Sequence, residues 1–169
     1  MTSIESVSAH SPTLEQYLAN LNRKRMAAGV LFRDASGRVL LVEPSYKPNW
    51  EIPGGAVEAD ESPWDAARRE LVEELGWDRP FGRLLVVDYI RPPDGHPEGV
   101  IFVFDGGVLD EMDLVGLVLA EDELISAGFY SLAQAQELVN TLLANRLSAA
   151  LAAAEQGEVA LCEDGRKMG

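Results

Sequence analysis

Residues 62 to 76 carry both a start and a stop signal for a helix, and they fix what can surround them. Ser62 and Pro63 suit the N-cap and first helical position, and Asp65 sits where a capping box places its acid. Gly76 supplies the left-handed stop. The spacing predicts a helix over 63–75 with Trp64, Ala67, Leu71 and Leu75 on one apolar face. At about 100° per residue, Glu70, Glu73 and Glu74 fall within roughly 100° of arc, away from that face.

Three carboxylates so close repel one another. A solvated acidic helix is one reading, because the chain has 28 Asp and Glu among 169 residues. The other is a divalent cation: hard ions prefer carboxylate and carbonyl oxygens, and Mg²⁺ is commonly held by a few carboxylates with substrate phosphates and water. Arg69 is placed to orient a neighbouring carboxylate bidentately, with Glu61 at the helix start as a second partner. Gly54 and Gly55 free the backbone before the helix, making the Gly54 carbonyl a further candidate ligand.

The rest of the chain predicts an α/β protein. A short helix is expected over 13–21, with Leu14, Tyr17, Leu18 and Leu21 on one face. Strands are expected at 27–33 and 38–42, joined as a hairpin by Asp34-Ala35-Ser36-Gly37. Residues 44–61 read as loop, with Trp50-Glu51-Ile52 at most a short strand. Further strands are expected at 83–90, 100–104, 114–119 and 128–130, and helices at 132–138 and onward to about 154. In the last stretch Val139, Leu142, Leu143, Leu147, Ala150 and Leu151 form a stripe read as core. Residues 1–11 read as a disordered segment and 12–169 as one domain with a C-terminal helix, its mixed sheet covered on both faces.

A net charge of −14 opposes nucleic acid and anionic lipid, so an anionic substrate would need cations as intermediaries. The lone Cys162 permits no intrachain disulfide and reads as an inert thiol. With neither a secretory signal pattern nor an apolar run of membrane-spanning length, a soluble cytoplasmic protein is expected.

From Gly55 to Trp77 the chain reads GAVEADESPWDAARRELVEELGW, with Gly55, Glu61, Arg69, Glu70, Leu71, Glu73, Glu74, Gly76 and Trp77 at fixed spacing. This resembles the Nudix box at every specified position, and a chance full match has odds below about one in a million. The preceding W-E-I-P-G-G, residues 50–55, also looks like the family, and the resemblance extends over 27–135.

The resemblance implies a Nudix-type α/β/α sandwich and an Mg²⁺- or Mn²⁺-dependent hydrolase of a nucleoside diphosphate linked to another moiety. ADP-ribose and sugar nucleotides are the candidate substrates, with a nucleoside triphosphate pyrophosphohydrolase or a non-catalytic nucleotide-sugar-binding module as alternatives. It assigns Glu70, Glu73 and Glu74 as metal ligands and catalytic residues, supported by Arg69. The proton acceptor is a box glutamate or a later loop acid, Glu121, Asp122 or Glu123, with Glu123 the choice. Arg91, which with Pro92 and Pro93 resembles a feature of ADP-ribose-acting members, is a candidate substrate contact. Trp50 and Phe129 are candidates for stacking on a base, as is Tyr46, and Lys47 is a candidate phosphate contact. His96 has no evident metal partner in sequence, and a homodimer is frequent in the family.

Overall fold

The computed structural model describes residues 13–92 and 98–169, so the expectations for residues 1–11 and for His96 lie outside the described residues. In chain order the elements are α1 (Leu14–Ala19), β1 (Arg25–Asp34), β2 (Val39–Pro44), β3 (Gly54–Ala56), α2 (Pro63–Leu75), β4 (Leu84–Ile90) and β5 (Gly99–Leu109). They continue with α3 (Glu111–Val115), β6 (Leu124–Tyr130), α4 (Leu132–Leu138), α5 (Thr141–Gln156), β7 (Ala160–Glu163) and β8 (Arg166–Lys167).

The sheet runs β6-β2-β1-β5-β4-β7-β8, with β3 added to β1. It is mixed: β1 pairs β5 in parallel and β4 pairs β7 in parallel, while β2–β6 and β4–β5 are antiparallel. One face packs on α4 and α5 through Leu31, Leu41, Val86, Leu143 and Leu147. The other packs on α2 through Val30, Phe32, Leu40, Leu71 and Leu75. Helices therefore cover both faces, the α/β/α arrangement expected.

The box helix begins and ends where its caps dictate. Ser62 Oγ accepts the Asp65 N–H at 3.1 Å, and Gly76 takes φ 67°. Ala67, Leu71 and Leu75 are fully buried, and each leucine contributes roughly 1.5 to 3 kcal/mol of burial. Trp64 remains half exposed but stacks on Phe81 at 4.3 Å between ring centroids.

Asp34 organises the β1–β2 turn, accepting the Ser36 and Arg38 backbone N–H groups and the Arg38 Nε. Burial pushes its carboxyl up, but these donors outweigh burial and hold it at about 2. The hairpin is shorter than expected: β1 and β2 share the register pair Arg33↔Val39, while Ala27, Ala28 and Gly29 of β1 pair β3, β5 runs along β1 over Arg25–Asp34, and β2 pairs β6.

Two expectations need correction. Residues 114–119 form no strand: Asp110 and Asp113 close a capping box that starts α3, and Leu117 and Leu119 pack on the core from the loop beyond. Leu14, Tyr17 and Leu18 of α1, and Leu21 just beyond it, are all exposed. The chain also does not finish in helix. After Gly157 stops α5, a hairpin of β7 and β8 turns on Asp164 and Gly165, both with positive φ, and joins the sheet beside β4. Asp-Gly was the readable signal for that turn.

The α5 stripe is core as expected at Leu143, Leu147 and Ala150, with Val139 buried as the C-cap of α4 and Leu142 at the edge. Cys162 is buried, and burial pushes its thiol pKa up. Among the described residues no helix is long and apolar enough to cross a membrane.

Candidate active site

Two segments converge on the carboxylate face of α2. Strand β3 pairs with β1 through Gly29↔Gly54 and Ala28↔Gly55, which lays the two glycines over the helix. Gly54 has φ 144°, and a Cβ there would stand 2.2 Å from the Ala28 carbonyl oxygen. At Gly55 a Cβ would stand 2.2 Å from Glu70 Oε1, so a side chain at either position would intrude on this packing. The loop before β6 is tied to the end of α2 by Val118 N–H to Leu75 O at 3.1 Å and Ala120 N–H to Glu74 O at 3.1 Å. Those two bonds bring Glu123, three residues on, towards the helix.

Glu74 is the deepest of the three helix acids, only 8% exposed, and its Oε2 accepts the Gly54 N–H at 2.8 Å. Burial pushes its carboxyl up to about 8; the Gly54 bond opposes this, and the charges of Glu70, Glu123 and Glu51 add to it. Glu70 is also raised, by burial first and by Glu73 and Glu123, against the pull of Arg69. Glu73 lies outermost, its carboxylate held by Arg69 Nη1 at 2.8 Å.

Arg69 spans the group as the sequence suggested. Its Nε and Nη2 bond both oxygens of Glu61, at 2.9 and 3.1 Å, its Nη1 bonds Glu70 at 2.8 Å, and its Nη2 reaches Ala56 O at 3.0 Å. Bonding to Glu61 is the largest of the effects that raise its pKa, while it draws the Glu61 carboxyl down.

With Arg69 occupying Glu70 and Glu73, and Gly54 occupying Glu74, no three His, Cys, Asp or Glu side chains among the described residues converge as a metal cage. The donor chemistry nevertheless fits a hard divalent cation. Glu70 and Glu74 are carboxylates raised first by burial and then by the charges of neighbouring acids, beside a glycine turn closely applied to the helix. A cation would relieve that repulsion.

Glu74, Gly54 and Gly55 open into a cleft of about 400 Å³. Its other walls include Tyr46, Lys47 and Glu51, the aliphatic Ile90, Ile101 and Leu142, and the cations Arg25 and Arg146. Lys47 bonds Glu51 at 2.8 Å. Glu51, Arg25 and Arg146 were not singled out from sequence. Glu51 reaches the site through a bridge to Val42, a non-local pairing that no local pattern announces.

The remaining candidates lie elsewhere. Trp50 packs edge-on against Tyr130, 5.1 Å between centroids, at the α4–α5 core. Phe129 packs on the opposite core beneath Arg38. Neither ring lines the cleft, since each packs into a core cluster. Arg91 lines a neighbouring groove and is bonded to Glu163 at 2.7 Å.

An α/β/α sandwich with a glycine turn laid over a carboxylate-bearing helix is the arrangement to which known proteins can be compared. The NUDIX domain model matches residues 23–152, and the chain belongs to that family. Diphosphoinositol polyphosphate phosphohydrolase 2 of Rattus norvegicus is 47% identical over 64 residues, 37% of this chain and 36% of that protein. The human diphosphoinositol polyphosphate phosphohydrolase 3-alpha is 46% identical over 66 residues, 38% and 40% of the respective lengths. The match thus spans well under half of these relatives.

Among solved structures, a UDP-X diphosphatase superimposes with TM-score 0.67 at 17% identity, over 90% of this chain and 76% of that one. An ADP-ribose pyrophosphatase from Streptococcus suis gives 0.62 at 22% identity, over 83% and 99%. At such identities the likeness is one of fold.

Proposed function

We propose that this chain hydrolyses a phosphoanhydride bond in a substrate containing a diphosphate, using Mg²⁺ or Mn²⁺ held by Glu70, Glu73 and Glu74 with the Gly54 carbonyl as a further ligand. The observation that carries the reading is Glu74: a buried carboxylate, pushed up to about 8 by burial, set at the mouth of a cleft beside two other acids. Nothing on its own helix neutralises it, because Arg69 is bonded to Glu61, Glu70 and Glu73.

When bound, a divalent cation supplies neutralisation of the diphosphate charge and activation of water. The chain's own residues do the rest. Arg69 holds Glu70 and Glu73 in orientation, the Gly54 N–H fixes Glu74, and Glu123 accepts the proton of the attacking water on a carboxylate oxygen.

The names of the relatives point to diphosphoinositol polyphosphates, but the cleft favours a less highly charged substrate. Of its three cations, Lys47 is paired with Glu51 and Arg146 with Asp88, leaving Arg25 as the one without a carboxylate partner among the described residues. A ring bearing many phosphates would meet too few free cations, with Glu51 and Glu74 close by. A nucleoside diphosphate joined to another moiety, such as ADP-ribose or a sugar nucleotide, suits the mixed apolar and polar walls better.

The test is phosphate release with Mg²⁺ or Mn²⁺ across ADP-ribose, sugar nucleotides, nucleoside triphosphates, dinucleoside polyphosphates and diphosphoinositol polyphosphates, with a phosphatase coupled where needed. Selective turnover of a nucleoside-diphosphate-linked compound supports the reading. Preference for the inositol compounds overturns the substrate class, and binding without turnover of any compound assigns a binding module instead. The same preparation gives the oligomeric state by light scattering, for which a homodimer is expected.

A further inference from the structure

Asp88 lies on β4, fully buried, and the chemistry at Glu70, Glu73 and Glu74 makes no use of it. Its Oδ2 accepts the Nε–H of Arg146 at 2.8 Å, and Arg146 Nη2 lies 2.8 Å from the same oxygen in the ion pair. The Gly165 N–H, in the β7–β8 turn, donates to both Asp88 oxygens at 2.9 and 3.1 Å. One buried carboxylate therefore joins a strand, the helix α5 and the C-terminal hairpin.

The hairpin seats closely. Gly165 has φ 76°, and a Cβ there would lie 2.4 Å from Leu142 O and 2.9 Å from Asn145 Cβ. Only glycine brings the turn near enough to cap Asp88 while it lies against the first turn of α5. This hairpin falls beyond residue 152, outside the stretch that the family model matches.

The consequence is geometric. Asp88 takes the Nε and Nη2 edge of the Arg146 guanidinium; among the described residues no bond to Nη1 is found, so its two N–H groups are the donors Arg146 can offer in the cleft that it lines. The side chain is only 11% exposed, so its position is set by packing as well as by the ion pair. Ile90, Ile101 and Leu142 give the cleft an aliphatic stretch of wall, with Arg25 and Asn140 also lining it. A directed donor pair among aliphatic side chains matches a flat, uncharged ring with acceptor atoms on its edge. A second phosphate group would leave those apolar walls unmatched.

We infer that Arg146, clamped by Asp88 and by the turn at Gly165, is a specificity-determining residue that reads the nucleobase of the substrate. Asp88 is the positioning residue behind it. The inference rests on the proposed diphosphate hydrolysis, with Glu74 and the glycine turn at one part of the cleft and Arg146 at another.

The experiment measures kcat and KM of wild type, Arg146→Gln, Arg146→Lys and Asp88→Asn on nucleoside-diphosphate-linked sugars differing in base, with a base-free organic diphosphate as reference. For Arg146→Gln, KM for the preferred nucleotide rises about 10- to 100-fold, kcat moves much less, and the preference among bases flattens. Arg146→Lys keeps the charge but loses the fork, and it does not restore the preference. Asp88→Asn raises KM in the same direction by a smaller factor.

Where Arg146→Gln fails to fold, as judged by circular dichroism, the pair Asp88→Asn with Arg146→Gln removes the buried charge together with its partner and carries the same reading. If wild type hydrolyses none of the compounds, the proposed function fails by itself. Titration of wild type and variant with ADP, UDP, GDP and inorganic pyrophosphate then still reads the base contact. Unchanged base preference in the folded variants, or an equal loss on base-free and base-bearing ligands, overturns the inference.

Discussion

Glu74 Oε2 accepts the backbone N–H of Gly54 at 2.8 Å, across twenty residues of sequence, and that bond is the hinge between the box helix and the glycine turn. It is also the principal bond opposing the burial that pushes this carboxyl up to about 8. An acid raised in the folded state holds its proton at pH values where the unfolded chain has already lost it. Stability without metal therefore falls as pH climbs from the ordinary glutamate range towards 8. Melting curves in chelator between pH 5 and pH 8.5, ranges chosen to bracket about that interval, should show this slope in wild type. Glu74→Gln should lack much of it and melt higher at the alkaline end.

The two glycines separate stability from activity. Gly54→Ala places a Cβ against backbone at a positive φ, and it should cost about 3 kcal/mol in a denaturant titration. Gly55→Ala meets instead the movable carboxylate of Glu70. It should fold nearly as well but lose roughly 10- to 100-fold in kcat/KM, as a displaced ligand would.

Arg69 holds three carboxylates and a carbonyl through one planar fork. Arg69→Lys retains a charge but cannot reproduce those bonds, so activity should fall about 10- to 100-fold and the metal concentration for half-maximal rate should rise. A metal titration checks both; a lysine variant with wild-type metal dependence contradicts the orienting role.

Glu123 is brought towards Glu74 by the backbone bonds of Val118 and Ala120 to the end of α2. If it takes the proton of the attacking water, Glu123→Gln should lower kcat about 10²- to 10⁴-fold with little change in KM. A variant that keeps kcat moves the role to another acid, with Glu70 the next to substitute.

What could be read from the sequence was what is written locally. The caps at Ser62 and Gly76, the i,i+3 and i,i+4 spacing of the acids and the reach of Arg69 to Glu61 all follow from helix geometry. The misreading at 114–119 is of a similar kind, because β-branched and leucine residues outweighed a capping pair, Asp110 and Asp113, that was present in the same few residues. The far side of the cleft was not legible. Arg146 and Asp88 are 58 residues apart, and Gly165 is 77 from Asp88. Their meeting depends on β7 choosing β4 as its neighbour, a choice made by the assembled sheet. Trp50 and Phe129 read as stacking candidates by residue type, but both rings, partly buried, pack against the core and neither lines the cleft.

The proposed role of the α2 face is that of a metal-dependent hydrolytic site. Its most direct measurement is hydrolysis of the best nucleoside-diphosphate-linked substrate by wild type and Glu74→Gln, each with Mg²⁺ and after chelation. Wild type should show turnover that chelation abolishes and Mg²⁺ restores. A folded Glu74→Gln protein should be slower by at least about 10²-fold at every Mg²⁺ concentration. Equal turnover by the variant, or wild-type turnover undiminished by chelation, would contradict it.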